Sequence, residues 1–196
     1  MLPPELVTPL LLGSANRGKV AEITRFSTRL GFSVIALDAP ELGNFGRPPH
    51  VPEVASSYAG NALLKGAAYA KHFGRPCLAD DTGLEIPMLN DLPGIHTARW
   101  GLSRVIAEVG IVRSVPARFV CAMAYVEPTG RSVVTHGAIE GELRAMVVPL
   151  RDSKPLPFGD FFFPRGFSTP ISKLVSEGFE GSHRFLALAA LTRVLS

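Results

Sequence analysis

Asp80 and Asp81 are adjacent carboxylates within Pro76–Ile86, which reads Pro-Cys-Leu-Ala-Asp-Asp-Thr-Gly-Leu-Glu-Ile. Short apolar runs bounded by turn residues read as strand ends. The carboxyl end of a buried strand is where open α/β sheets keep their ligands. In an extended chain the two side chains point to opposite faces, so one of them faces a cleft. The alternative is an Asp-Asp-Thr-Gly turn with solvated carboxylates, since Asp and Gly both favour turns.

A second group could bind phosphate. Gly13 to Lys19 spells G-x-x-x-x-G-K between a short apolar run and a helical pattern. Glycines let backbone N–H groups approach a phosphate, a helix N-terminus adds a favourable dipole, and a lysine adds charge. A full P-loop needs Ser or Thr next, to hold Mg²⁺, and the residue here is Val20. A P-loop fold is therefore disfavoured, while phosphate binding stands against the alternative of a glycine-lined turn with a solvated lysine. If this loop grips a polyphosphate, another part of the chain must carry Mg²⁺. That ion takes one or two protein carboxylates and completes its shell with water and phosphate oxygens. Asp81 and Glu53 are the candidates, with Asp80 behind them.

Two further clusters are weaker alone. Phe158-Gly159-Asp160 precedes Phe161, Phe162 and Phe163. The three successive phenylalanines read as core strand, while Phe158, beside Gly159 after a proline-rich loop, offers a face on which a base stacks. Ser182-His183-Arg184 stands at a predicted helix start, where the serine caps and the two basic residues otherwise read as solvated cations. His50, His72, His96 and His136 show no metal-ligand spacing and are left unassigned.

The elements that must position these groups alternate. Leu10–Leu12 reads as a strand. Val20, Ile23, Phe26 and Leu30 then recur at helical spacing over Lys19–Leu30, with Gly31 as a stop. Ser33–Leu37 is a strand, 38–52 a loop, and a helix runs from Ser56 or Ser57 to before Gly74. After the Asp80-Asp81 strand, 87–101 is turn-rich and Leu102–Val109 a short helix. Ala117–Val126 and Arg131–Glu140 form a hairpin about Pro128-Thr129-Gly130. Residues 149–159 are loop, Thr169–Glu177 a short helix, and Ser182 caps a last helix bearing Phe185, Leu188, Leu191 and Leu195. The fold class is α/β with a mixed sheet.

The 196 residues, 46% apolar and 19% charged, suit an ordered single domain, which excludes a disordered chain. The net charge of +3 without a Lys/Arg block argues against a nucleic-acid polymer as partner. No apolar stretch approaches the roughly 20 residues of a membrane span, and the N-terminus lacks a basic leader. Cys77 and Cys121 lie in apolar runs, as buried free thiols in a reducing compartment do.

With these clusters in this order, the chain resembles the inosine triphosphate/xanthosine triphosphate pyrophosphatase family, house-cleaning enzymes that remove non-standard purine nucleotides. The family's opening Ser/Thr-x-Asn-x-x-Lys is met by Ser14, Asn16 and Lys19. Its acidic loop and alanine-rich helix look like Glu53 and Asn61-Ala62-Leu63-Leu64-Lys65. Ala79 to Leu84 matches its Ala-Asp-Asp-Ser-Gly-Leu, with Thr82 for serine. Pro93, Gly94, Ala98 and Arg99 match Pro-Gly-x-x-x-Ala-Arg, Ala117-Arg118-Phe119 its hairpin strand, and Ser182-His183-Arg184 its last motif. The likeness covers nearly the whole chain, and the short Gly101–Pro116 connection is similar to that of compact archaeal-type members.

The resemblance implies one domain over 1–196 with two lobes and a cleft between them, a mixed twisted sheet flanked by helices, a homodimer, and a cytoplasmic location. It implies Mg²⁺-dependent hydrolysis of ITP, dITP and XTP to the monophosphate and pyrophosphate. Ser14, Asn16 and Lys19 would hold the triphosphate, with Lys65, Thr82, Gly159 and Asp160 also on the substrate side. Asp81 and Glu53 would place the metal, and Asp81 would orient or deprotonate the attacking water. Phe158 would stack on the purine, and His183 and Arg184 would donate to its 6-oxo group, which disfavours adenine.

Three positions depart from the family pattern. Gly60 stands where Glu usually precedes Asn-Ala, Phe-Gly-Tyr-Asp-Pro is shortened to Phe158-Gly159-Asp160-Phe161, and Gly178 replaces a lysine. Gly60 and Gly178 motivate a second reading, a nucleotide-binding protein of the same fold with lost or very slow turnover. A third, a kinase-like P-loop enzyme, meets the objection of Val20.

Overall fold

The computed structural model describes residues 9–110, 114–144 and 158–196. The first strand, β1 (Leu10–Leu12), is fully buried. Asn16 then turns the chain into helix α1 (Arg17–Arg29), its side chain accepting from the backbone N–H groups of Gly18 and Lys19. That cap starts the helix two residues before the expected Lys19, because an Asn side chain satisfies donors that would otherwise be orphaned. Strand β2 (Val34–Ala36) follows, and a short 3₁₀ helix (Pro40–Phe45) lies in the segment expected as loop. Helix α2 (Tyr58–Phe73) has the expected bounds: Ser57 caps it and Gly74 ends it in the left-handed region at φ 62°.

Strand β3 (Cys77–Ile86) corrects the sequence reading. Asp80 and Asp81 lie in mid-strand, neither at its end nor in a turn. The reason is tertiary: β5 (Ser114–Val126) pairs with β3 from Cys77↔Val126 to Glu85↔Arg118, carrying the Asp-Asp-Thr-Gly segment through in extended form. Strand β4 (Leu92–Gly94) returns against the end of β3. Helix α3 (Thr97–Val109) breaks at Gly101 (φ 68°), which leaves the expected 102–109 helix after one preceding turn.

Strand β6 (Ser132–Arg144) completes the hairpin with β5 over 13 paired positions, longer than expected at both outer ends. Strand β7 (Phe162–Pro164) adds to β6, so Phe162 and Phe163 are core strand as read, while Phe161 is buried in the turn before it. Of the expected 149–159 loop, residues 149–157 lie outside the described residues. Helices α4 (Ile171–Ser176) and α5 (His183–Leu195) close the chain, the latter capped by Ser182, which accepts from the Phe185 N–H.

Among the described residues the mixed sheet has seven strands and runs β2-β1-β3-β5-β6-β7, with β1 parallel to β2 and β3, and with β4 also on β3. Side chains alternate across it with the two-residue period of a strand. Leu10, Leu12, Leu78, Leu84, Phe119 and Cys121 face one core with Ile23 and Phe26 of α1 and Leu188 of α5. Leu11, Cys77, Ala122 and Ala124 face the other, with Ala62, Tyr69 and Phe73 of α2. Gly137 of β6 lets α5 approach, since a Cβ there would lie 2.2 Å from the His183 carbonyl oxygen. Among the described residues no helix is long and apolar enough to cross a membrane.

Candidate active site

One edge of β3 is shared by two short strands. β1 pairs with Cys77 and Leu78, and β4 pairs only from Leu84 onward. The stretch between, which holds Asp80, Asp81 and Thr82, has no strand on that side among the described residues. The chain leaves β1 at this gap as the Gly13–Lys19 loop. A cavity of about 330 Å³ opens there. Ser14, Asn16 and Lys19 line it from the loop, Asp81 and Thr82 from β3, and Glu53 and Lys65 from the α2 side.

Asp80, on the α1/α5 face, is buried among cations. Its Oδ2 lies 3.0 Å from Lys19 Nζ and 3.3 Å from Arg184 Nε, and accepts from the Thr82 hydroxyl at 2.8 Å. Burial opposes its charge, but the Lys19, Arg184 and Lys65 cations outweigh that and hold the carboxyl well below its ordinary value. Arg184, itself buried, also donates to Glu22 Oε2 at 2.6 Å. Glu22 sits three residues after Lys19, one turn along the same face of α1.

Asp81, on the α2 face, has the opposite environment. Its Oδ2 accepts from Asn61 Nδ2 at 3.0 Å and its Oδ1 from the Thr82 N–H at 2.9 Å. Burial raises its carboxyl above the ordinary value, and the Lys65 charge, the Asn61 hydrogen bond and Lys19 only partly offset this. Lys65, one helical turn beyond Asn61, donates to Glu53 Oε1 at 2.5 Å. The loop bearing Glu53 is tied down twice: Asn61 Oδ1 accepts from the Ala55 N–H at 2.9 Å, and Arg99 donates to the Glu53 carbonyl at 2.8 Å.

These residues fit a hard divalent cation. Asp81 and Glu53 both line the cavity, and Glu53 Oε2 accepts no hydrogen bond among the described residues. Two carboxylates, with solvent and phosphate oxygens for the rest, is the donor set Mg²⁺ commonly takes. Among the described residues no group of three or more His, Cys, Asp or Glu is placed to hold a metal. At Gly60 a Cβ would meet that of Ala55 at 2.6 Å, so the cap loop fills the space a third acidic side chain would need.

Not all of the other expected residues line the cavity. Phe158, buried in the core, is among the residues that line the cavity. His183 is fully buried behind Phe119, stacked at 5.0 Å and 15°, and its ring does not line the cavity. Gly159 is buried and Asp160 exposed, and neither lines the cavity. Asn61, Glu22 and Arg99 are site residues that residue chemistry alone passes over. Helical spacing is the signal that finds the first two, Asn61 from Lys65 and Glu22 from Lys19. His50 and Tyr69, unassigned from sequence, line the cavity.

Residues 10–194 match the model of the Ham1 family. The chain is 32% identical over 202 residues to a dITP/XTP pyrophosphatase of Mycobacteroides abscessus, covering 95% of this chain and 94% of that one. It is 31% identical over 211 residues to a dITP/XTP pyrophosphatase of Streptomyces coelicolor, covering 96% and 98%. Among solved structures, a HAM1 protein from Coxiella burnetii superposes with a TM-score of 0.75 at 28% identity, covering 96% of this chain and 98% of that one.

Proposed function

The chain belongs to the Ham1 family, the pyrophosphatase family its motifs resemble, and from that premise we propose that it hydrolyses non-canonical purine nucleoside triphosphates, ITP, dITP and XTP, to the monophosphate and pyrophosphate. The observation that carries this reading is the pair of adjacent aspartates with opposed environments, one facing the phosphate loop's lysine and the other opening on the cavity beside Glu53.

In this reading Ser14, Asn16 and Lys19 receive the triphosphate at the N-terminus of α1, where the helix dipole favours an anion. Asp80 holds the Lys19 ammonium in place at 3.0 Å. Asp81 orients the attacking water and accepts its proton, a task suited to a carboxylate whose proton affinity burial has raised. Asn61 and the Thr82 N–H hold that carboxylate in one orientation. Asp81 and Glu53 would hold Mg²⁺, which supplies charge neutralisation for the departing pyrophosphate. Base discrimination rests on Arg184 and Phe158, which both line the cavity, rather than on His183, which does not. The reading includes a homodimer in the cytoplasm, with the nucleotide in a cleft between two lobes of a single domain.

The test is pyrophosphate release from ITP, XTP, dITP, ATP and GTP with Mg²⁺, for the wild type and Asp81→Asn. Fast release from ITP, XTP and dITP, abolished in the variant, is the expected result. Equal release from all five refutes the base selectivity. ITP binding with no release from any refutes turnover and leaves the nucleotide-binding protein.

A further inference from the structure

Past the phosphate loop lies a second, larger hollow of about 1090 Å³, which shares Ser14, Ala15, His50 and Tyr69 with the candidate active site. Its rim carries Arg17, the first residue of α1, and Arg47 and His50 from the segment before α2, with Asp38 as the acid in its lining. Both arginines are exposed, and among the described residues neither has an ion-pair or hydrogen-bond partner for its guanidinium. The floor, from Val20 and Leu37, is apolar and offers an anion no competing acceptor.

The first cavity is different. There each cation already touches a carboxylate: Lys19 meets Asp80, Lys65 meets Glu53, and Arg184 meets both Glu22 and Asp80. A cation in contact with a carboxylate has much of its field cancelled and attracts an arriving anion less than a free one does. Arg17 and Arg47 touch no carboxylate among the described residues, and a guanidinium presents the planar fork that matches phosphate oxygens. The two hollows share Ser14 and Ala15 of the loop that receives phosphate in the reading above.

We propose that the second hollow is an anion subsite that takes the distal phosphates of a polyphosphate chain, held by Arg17 and Arg47. The chain is either the tail of a bound nucleotide longer than a triphosphate or a free inorganic polyphosphate, the product pyrophosphate included. The inference rests on the hydrolase reading for the role of the loop between the hollows. Asp38 reduces the net attraction, and the rim is open to solvent, so binding is modest and weakens with salt.

Inorganic tripolyphosphate, titrated calorimetrically in EDTA so that no metal bridges it, is the probe. Arg17→Ala and Arg47→Ala each weaken binding about 3-fold and the double variant about 10-fold, the scale of exposed ion pairs. Arg47→Lys keeps the charge without the fork and binds more weakly than the wild type but more tightly than Arg47→Ala. Arg193→Ala, which removes an equal charge from the exposed end of α5, leaves it unchanged. A double variant that binds like the wild type, or an equal loss in Arg193→Ala, overturns the subsite.

Two kinetic arms separate the sources. A nucleotide tail raises the ratio of KM for inosine tetraphosphate to that for ITP in the double variant. Free polyphosphate leaves that ratio unmoved and weakens inhibition by pyrophosphate instead. Wild type that binds tripolyphosphate through both arginines but hydrolyses no nucleotide refutes the hydrolase reading alone. Turnover with arginine-independent binding refutes the subsite alone.

Discussion

Replacing Asp80 by Asn tests whether the two neighbouring aspartates do different work. The change keeps shape and removes the charge that Lys19 and Arg184 share at 3.0 and 3.3 Å. Breaking a buried pair on one side costs about 3–5 kcal/mol, because the remaining charge is left uncompensated. Here Arg184 retains Glu22 at 2.6 Å, and the Lys19 side chain is 17% exposed and can turn to water. Both favour the lower end, about 3 kcal/mol, or about 6–12 °C in Tm for a domain of this size. Asp81→Asn should behave otherwise. It removes a charge that burial already disfavours, and loses at most one of the hydrogen bonds to Asn61 and the Thr82 N–H, a balance within about 1 kcal/mol.

The assay is urea and thermal unfolding of the three proteins from pH 7 to pH 3. The Asp80 carboxyl is depressed in the folded state, so its stabilisation is present above its ordinary value of 3.8 and lost as pH falls below it. The gap between wild type and Asp80→Asn should therefore hold from pH 7 to near 4 and then close. A loss under 1 kcal/mol for Asp80→Asn, or an equal loss for Asp81→Asn, refutes the assignment of charge anchor to the first and cavity carboxylate to the second.

Arg99→Ala releases the Glu53 carbonyl, and the Mg²⁺ concentration for half-maximal activity should rise about 10–100-fold, as when outer partners of a ligand are removed; an unmoved magnesium titration would refute the positioning role. Burial, and then the Arg184 charge, hold the His183 imidazole well below its ordinary 6.5, so its neutral form stabilises the fold above that pH and the contribution is lost as pH falls below it. His183→Phe should spare the fold up to about 1.4 kcal/mol per pH unit between 6.5 and 5, read as the difference in unfolding free energy; parallel pH profiles would count against it. Gly137→Ala places a Cβ 2.2 Å from a backbone carbonyl of α5, so α5 must shift, and a loss of about 3 kcal/mol is expected in urea unfolding.

Local chemistry made much of this legible from sequence. Ser57 and Ser182 cap their helices, Gly74 ends one, and the hairpin lies about its Pro-Thr-Gly turn, because caps and turns depend on a few adjacent residues. Several ordered motifs together marked the family. The alternation of a strand also meant that Asp80 and Asp81 would face apart, as they do. Which of them met the cations, and that they lie in mid-strand, was decided by tertiary structure. The β5 partners, Met123 of Asp80 and Ala122 of Asp81, are distant in sequence and carry the extended pairing through a segment whose local preference is a turn. The burial of Phe158 and His183 was not legible for the same reason, since exposure is a property of what packs on a side chain and not of its type. The opposed proton affinities of two adjacent, identical side chains arise in the same way: α1 and α5 bring Lys19 and Arg184 to one face, and α2 brings Asn61 and Lys65 to the other.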